Sequence, residues 1–135
     1  DYGAHIIHGA ANAMYLPKVI AFNAKNPEAA ARYGVIADNM QLGGNTNEEK
    51  VALLIAHLRH MNDELNIPHC IKNYGADSYP TENGFVPEEV FKTRLHDIAV
   101  NAIGDACTGS NPRIPTVEEM EKLLTACYYD TEIDF

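Results

Sequence analysis

Apolar residues recur at three- and four-residue spacings along most of the chain, a pattern that predicts helices. From Gly9 to Phe22 the small and apolar residues are nearly continuous, as in a buried helix, and Pro17 predicts a kink or a break there. The clearest amphipathic stripe follows in the middle of the chain and consists of Val51, Leu54, Ile55, Leu58, Met61 and Leu65. No segment shows sustained alternation with a period of two, so we expect an all-α domain of about five main helices.

Capping signals divide this pattern into separate helices. Asn26-Pro27-Glu28 predicts a helix start, because asparagine caps, proline suits the first position and an acid suits the positive end of the dipole. The buried face predicted for this helix consists of Tyr33, Ile36, Ala37 and Met40, and Gly43-Gly44 ends it. The next helix is expected to start at Asn45 or Asn47 and to end before Pro68.

Two further helices are predicted in the second half, after a short turn or helix at Pro68–Asn73 and a polar loop at Ala76–Val86, which includes Ser78. The first starts at Pro87, and its predicted buried stripe is Phe91, Leu95, Ile98 and Ala102. The second starts with the capping box Thr116–Glu119, and its predicted buried face is Met120, Leu123, Leu124, Cys127 and Tyr128.

Length and charge narrow the class of protein. The 135 residues suit one domain, and 10 Lys+Arg against 19 Asp+Glu give a net charge of −9. An acidic balance opposes binding to nucleic acid or to anionic membrane. Three cysteines without CxxC spacing favour a reducing, cytoplasmic compartment. The chain opens directly on Asp1 and dense apolar sequence, so we expect it to be a piece of a longer polypeptide.

His5 and His8 are the first candidates for chemistry. A helix would place two histidines three residues apart on one side, where imidazoles could share a metal. Tight packing around Gly9 and the following alanines fits the same residues, and an isolated pair of histidines is more often structural. The other histidines have a structural or surface interpretation. They are His57, His60, His69 and His96.

The second candidate region is the polar bend Asp105–Arg113, "DACTGSNPR", which contains Cys107. Binding groups often lie on irregular segments held between rigid helices, although a purely structural corner fits equally well. Asp105 could bond backbone amides, and Arg113 could clamp an anion or a carboxylate. Cys127, on the last helical face, is expected to be a small apolar filler.

Four stretches together resemble the iron-containing (group III) alcohol dehydrogenases. "HGAANAMYLPKVIAFN" from His8 resembles the family's His-Gly signature, and "GDACTGSNPR" from Gly104 resembles its second landmark. "NDELNIPHCIKNYG" from Asn62 and "EEMEKLLTACYYDTEIDF" from Glu118 resemble a helix end and the closing helix. The resemblance covers essentially the whole chain.

The resemblance implies a two-domain enzyme, with an N-terminal α/β dinucleotide-binding domain and a C-terminal helical metal and substrate domain. Residues 1–135 would be the helical domain, and the dinucleotide-binding domain would be absent from this chain. The family's metal, Fe²⁺ or in some members Zn²⁺, is held by one aspartate and three histidines. By this resemblance His8 is the last of the three, whereas His5 matches a position outside the ligand set. Ile7 stands where the family usually has proline.

The resemblance further implies that Cys107 lines the substrate pocket as a wall residue and not as a nucleophile. The expected reaction interconverts primary alcohols and aldehydes with NAD or NADP, in a stand-alone enzyme or in half of a bifunctional one. We expect the partners to be the small substrate, the missing domain and other copies of the chain in a homo-oligomer. With one ligand of four, this segment alone is expected to be inactive.

Two alternatives belong to other classes. A non-catalytic acidic helical module that binds a protein partner would explain the charge and the helices. A small helical metal sensor would use His5 and His8 and would gain further ligands by oligomerisation. The interaction module does not account for the His8-Gly9 landmark and the Cys107 bend together.

Overall fold

Five α-helices form the domain in a computed structural model that describes residues 4–77, 79–81 and 83–135. The helices are α1 (His8–Asn23), α2 (Pro27–Asn39), α3 (Asn47–Glu64), α4 (Glu88–Gly104) and α5 (Val117–Tyr129). Short 3₁₀ turns lie at Ile71–Asn73 and Thr108–Ser110, and the described residues contain no strand. The predicted all-α class and five main helices are therefore confirmed. Asp1 and Ser78, which the sequence analysis singled out, lie outside the described residues.

Side-chain caps begin α2, α3 and α5, whereas α4 begins at Glu88, one residue after the predicted Pro87, without a side-chain cap. The Asn26 side chain accepts hydrogen bonds from the amides of Glu28 and Ala29, and Thr116 with Glu119 forms a complete capping box. α3 starts at Asn47, one of the two starts that the sequence predicted. Thr46 is the cap there, because its hydroxyl accepts from the Glu49 amide while the Glu49 carboxylate accepts from the Thr46 amide.

Pro17 does not break α1, which runs without interruption from His8 to Asn23. Proline lacks the amide that would bond the carbonyl four residues earlier, so the Ala13 carbonyl loses its helical donor. The side-chain amide of Asn62, on α3, donates to that oxygen at 2.9 Å. Asn62 is buried, and its bond replaces the one that proline removes.

The helices pack as two pairs around α1. α2 packs on α3, α4 packs on α5, and α1 contacts α2, α3 and α5. One apolar cluster lies where α1, α2 and α3 meet and consists of Ile20, Ala37, Val51 and Leu54. A second lies between α4 and α5 and consists of Ile71, Phe91, Cys127 and Tyr128. In it the Phe91 and Tyr128 rings stack with their centroids 4.1 Å apart.

Part of the predicted core is exposed. Ile36 and Met40 are 44% and 41% exposed, because α2 packs through its small residues Gly34 and Ala37, which turn the larger side chains outward. Met61 and Leu65 are 40% and 65% exposed at the end of the α3 stripe. α3 is five residues longer than α2 (18 against 13), so its last turns extend past that partner. Among the described residues, no helix is both long and apolar enough to cross a bilayer.

Candidate metal and substrate site

His8 is the first residue of α1, and its side chain is exposed. The segment before it is anchored to the loop that precedes α4. The His5 amide donates to the Asn83 carbonyl at 2.7 Å, and the Ile7 amide donates to the Tyr74 hydroxyl at 3.4 Å. No described residue hydrogen-bonds the His8 ring, so both ring nitrogens can reach a ligand or an acceptor.

His5 does not share a helical face with His8, because α1 begins only at His8. Within the part of the chain that the structure describes, no group of three or more histidine, cysteine, aspartate or glutamate side chains could hold a metal ion. The chemistry of His8 itself fits a transition metal, since neutral imidazole is a common ligand. The positive end of the α1 dipole opposes a cation at this position.

Cys107 lies in the bend between α4 and α5 and is exposed. As the sequence analysis allowed, the Asp105 carboxylate accepts a backbone amide hydrogen bond, here from Cys107 at 2.8 Å. The Cys107 carbonyl accepts from the Ser110 amide and hydroxyl, and the Thr108 hydroxyl donates to the Ala102 carbonyl. These local bonds give the bend a fixed shape.

The Cys107 side chain lines a cavity of about 250 Å³. The other lining residues are Val19, Phe22, Thr108, Asn111, Pro115, Met120 and Leu123, so the wall is mainly apolar. His8 is not part of this lining. Val19 is eleven residues after His8, close to three full turns, so the two lie on the same side of α1 and about 16 Å apart along its axis.

The end of α1 holds the Cys107 bend through a pair of asparagines. The Asn23 amide donates to Asn111 Oδ1 at 3.0 Å, and the Asn111 amide donates to Asn23 Oδ1 at 2.7 Å. The Asn26 amide also donates to the Pro112 carbonyl at 3.0 Å. Sequence patterns gave no signal for these pairs, because the partners are more than 80 residues apart along the chain (|i−j| of 88 and 86).

Arg113 clamps a carboxylate of its own chain. One guanidinium nitrogen donates to Glu119 at 2.8 Å, and the other donates to the Phe22 and Phe135 carbonyls. The guanidinium also lies over the Phe22 ring, with its central carbon 3.8 Å from the ring centroid. Arg113 is therefore already engaged in joining α1, α5 and the chain's last residues.

A second charged cluster, also missed in the sequence, joins α1, α3 and the end of α5. The Asp130 carboxylate accepts two hydrogen bonds from the Arg59 guanidinium, each 2.8 Å long. It also forms an ion pair with the ammonium group of the buried Lys18, at 2.8 Å. Burial alone would raise the pKa of Asp130, but the Arg59 and Lys18 contacts outweigh it and lower the pKa to about 2. Lys18 also donates to the Thr131 carbonyl.

The remaining histidines pair with their own surroundings. His69 Nδ1 accepts from Arg59 at 2.8 Å, and its Nε2 lies 2.6 Å from Asp63 without the alignment of a hydrogen bond. His96, for which the sequence showed no partner, lies 2.6 Å from Glu121. His60 pairs with Glu64 at 3.5 Å, and His57 is half-buried.

Comparison with known proteins decides the family. The profile of the Fe-containing alcohol dehydrogenase family, C-terminal part, matches residues 3–128. The chain belongs to the Fe-containing alcohol dehydrogenase family. The resemblance drawn from the His-Gly and Cys107 landmarks is thereby confirmed.

Curated relatives of this family are considerably longer. The chain is 46% identical over 131 residues to the NADPH-dependent butanol dehydrogenase of Clostridium saccharobutylicum, covering 97% of this chain and 31% of the relative. It is 39% identical to the aldehyde-alcohol dehydrogenase of Clostridium acetobutylicum, covering 92% of this chain and 15% of that protein. Against the bifunctional aldehyde-alcohol dehydrogenase of Escherichia coli the identity is 33%, with coverages of 93% and 15%. The chain thus spans a third or less of these relatives.

Proposed function

We propose that this chain is the helical metal and substrate domain of a metal-dependent, NAD(P)-linked alcohol dehydrogenase that interconverts primary alcohols and aldehydes. The observation that carries the proposal is the family match over residues 3–128, which includes a histidine exposed at the start of α1. The relatives named as butanol and aldehyde-alcohol dehydrogenases support the same reaction class. The nicotinamide cofactor, either NAD or NADP, would be held by a dinucleotide-binding domain outside this chain.

His8 would supply one ligand to the catalytic metal, Fe²⁺ or Zn²⁺. A bound divalent ion acts as a Lewis acid on the alcohol or carbonyl oxygen. The chain's own contribution is to fix the backbone that carries the imidazole. α1 is continuous, and the preceding backbone is bonded at Ile7, so one ring nitrogen of His8 can point at the ion while the other takes an orienting acceptor.

Cys107 would be a wall of the substrate pocket. Its cavity is mainly apolar, and its side chain lies on a bend whose backbone bonds are internally satisfied. The three cysteines are free, and the compartment proposed for the protein is the cytoplasm, where thiols are kept reduced. We expect the complete enzyme to be a homo-oligomer.

Substitution of His8 in the full-length protein tests the proposal, with His5→Ala as the matched control. His8→Ala should reduce bound metal well below one equivalent and lower kcat by several hundredfold or more, because it removes a ligand of the Lewis acid. His5→Ala should leave metal content and turnover near wild type. Unchanged metal and turnover in His8→Ala would show that this histidine is not a ligand, whereas equal losses in both variants would indicate a general structural effect.

The isolated 135-residue chain provides a second test. With one predicted ligand it should bind metal weakly, in less than stoichiometric amount, and should not oxidise alcohols. Alcohol oxidation by this chain alone would contradict the proposed division of the ligands. Capture of a protein partner together with an inactive full-length protein would favour the acidic interaction module instead.

A further inference from the structure

We infer that Asn12 positions the His8 ring for the metal, by accepting a hydrogen bond from the ring nitrogen that does not bind the ion. This inference rests on the proposed alcohol dehydrogenase function and names the orienting acceptor that a metal-bound imidazole needs. Asn12 would be a positioning residue, because it acts on the metal through His8 and does not itself touch the ion.

The position of Asn12 on α1 gives the first argument. It is four residues after His8, so the two lie on the same side of the helix with their Cβ atoms about 5–6 Å apart. Helical side chains lean toward the N-terminus, so Asn12 extends back over the turn that starts at His8. The other neighbouring position, three residues after His8, is Ala11, which has no acceptor on its side chain.

The start of the helix gives the second argument, because its backbone offers few acceptors to this ring. The first turn of an α-helix presents free N–H groups, whereas its carbonyls point along the axis toward the C-terminus. The carbonyl just before His8, at Ile7, already accepts from the Ala11 amide at 3.0 Å. A side chain is therefore the more favourable source of an acceptor at this position.

The choice of residue gives the third argument. Asn12 is exposed, and its neighbours in the sequence are Ala11 and Ala13. Alanine is the strongest helix former and asparagine one of the weaker ones, because its side chain competes for backbone hydrogen bonds. Neither the Asn12 nor the His8 side chain hydrogen-bonds any residue that the structure describes. Asn12 thus weakens the helix without a compensating contact in the described part of the chain, a conflict that is typical of functional positions.

The metal affinity of the full-length protein tests the inference without relying on activity. The Kd for Zn²⁺ is measured on the metal-free protein by competition with a chromophoric chelator. Asn12→Ala should raise this Kd about 10–100-fold, the range found when a group that orients a metal-bound histidine is removed. The melting temperature of the metal-free variant should equal or exceed the wild-type value, because alanine is the better helix former.

Two further substitutions separate the acceptor from the volume of the side chain. Asn12→Asp keeps an acceptor at nearly the same shape and should keep the Zn²⁺ affinity close to that of the wild type. Asn12→Leu has a similar volume but no acceptor, so it should weaken Zn²⁺ binding as Asn12→Ala does. Asn101→Ala is the matched control, because it makes the same change at an exposed position within α4, and it should leave the Kd unchanged.

A double-mutant cycle with His8→Ala shows whether Asn12 acts through that ring. In the His8→Ala background, Asn12→Ala should cause no further rise in the Kd of the remaining, weaker Zn²⁺ binding. A further rise by the same factor would overturn the inference, since Asn12 would then act on the metal without His8.

The outcomes separate the inference from the proposed function. If His8→Ala weakens Zn²⁺ binding and Asn12→Ala does not, Asn12 is not the positioning residue, although the metal assignment stands. A lower melting temperature in Asn12→Ala, together with weakened Zn²⁺ binding in Asn12→Asp as well, would overturn the inference by showing a structural role. Failure of the proposed function itself would instead appear as unchanged Zn²⁺ binding in His8→Ala.

Discussion

The side chain of Asn62 completes the backbone bonding of a different helix by donating to the Ala13 carbonyl. Pro17, four residues after Ala13, is the reason that this carbonyl is available. The proline would otherwise leave a partly buried acceptor without a protein partner, which costs up to about 1–3 kcal/mol. The pair therefore explains how a proline is accommodated in the middle of the central helix.

A double-mutant cycle tests this explanation. Asn62→Leu, which removes the donor at similar volume, should lower the free energy of unfolding by about 1–3 kcal/mol. In a Pro17→Ala background the same change should cost clearly less, because residue 17 now supplies the missing amide. Urea denaturation of the four proteins measures the coupling. Additive effects of the two substitutions would mean that Asn62 does not compensate for the proline. The control is Asn101→Ala at an exposed position of α4, which should change the free energy of unfolding little in either background.

Acid stability should depend on Asp130. Its folded pKa of about 2 lies below the value of 3.8 for a free aspartate, so the carboxylate contributes stability above pH 4. That contribution should be lost as the pH falls from about 4 to 2. Asp130→Asn, which accepts the left-handed backbone at this residue (φ 62°), should be less stable than wild type at pH 7, by about 2 kcal/mol at most. The difference should shrink toward pH 2.

Glu88 provides the comparison for this pH profile. Its pKa is also lowered to about 2, mainly by hydrogen bonds from Lys92 and Tyr129, so it titrates over the same range. Glu88→Gln should therefore remove the loss of stability at low pH that is due to Glu88 and leave the loss that is due to Asp130. If stability depends on pH in Asp130→Asn as it does in the wild type, the contacts of Asp130 with Arg59 and Lys18 are not the cause of that dependence.

Two substitutions of Asn26 separate its two contacts. Asn26→Asp keeps the acceptor that caps α2 but loses the donor to the Pro112 carbonyl, whereas Asn26→Ala loses both. Loss of the cap should cost about 1 kcal/mol, so the alanine variant should be the less stable one by that amount. Chemical denaturation at matched m-values measures the difference. Equal stability of the two variants would assign the whole effect to the contact with Pro112.

Thiol labelling should distinguish the three cysteines. Cys107 is exposed, whereas Cys70 and Cys127 are 5% and 3% exposed, and burial raises the pKa of Cys127 to about 12. Iodoacetamide at pH 8 should therefore modify Cys107 alone in the folded protein and all three cysteines in denaturant, as measured by intact mass. Cys107→Ser should abolish labelling of the folded state. Rapid native labelling of Cys127 would contradict its burial in the α4–α5 cluster.

The sequence predicted what local chemistry controls. The starts of α2 and α5 follow from Asn26 and from Thr116 with Glu119, because a cap and its amides lie within a few residues. The orientation of α2 was predicted less well, since apolar character alone does not tell whether a helix packs through Ile36 or through Ala37. That choice depends on how closely the small residues let α3 approach.

Long-range polar pairs were not predictable from the sequence. No local pattern indicates that Lys18 pairs with Asp130 or Asn23 with Asn111, because these partners come together only when the helices pack. The candidate site likewise contains residues that the sequence indicated and residues that it did not. His8 and Cys107 are candidates proposed from family landmarks, whereas the asparagines that hold the Cys107 bend became visible only in the folded chain.

The uninterrupted course of α1 fixes how its two ends are oriented relative to each other. His8 is the first residue of α1, and Asn23, its last residue, holds the Cys107 bend through Asn111. Deleting or inserting a single residue between them would rotate one end against the other by about 100° and shift it by about 1.5 Å. Any change in length between these ends would therefore misalign the two proposed site regions at once.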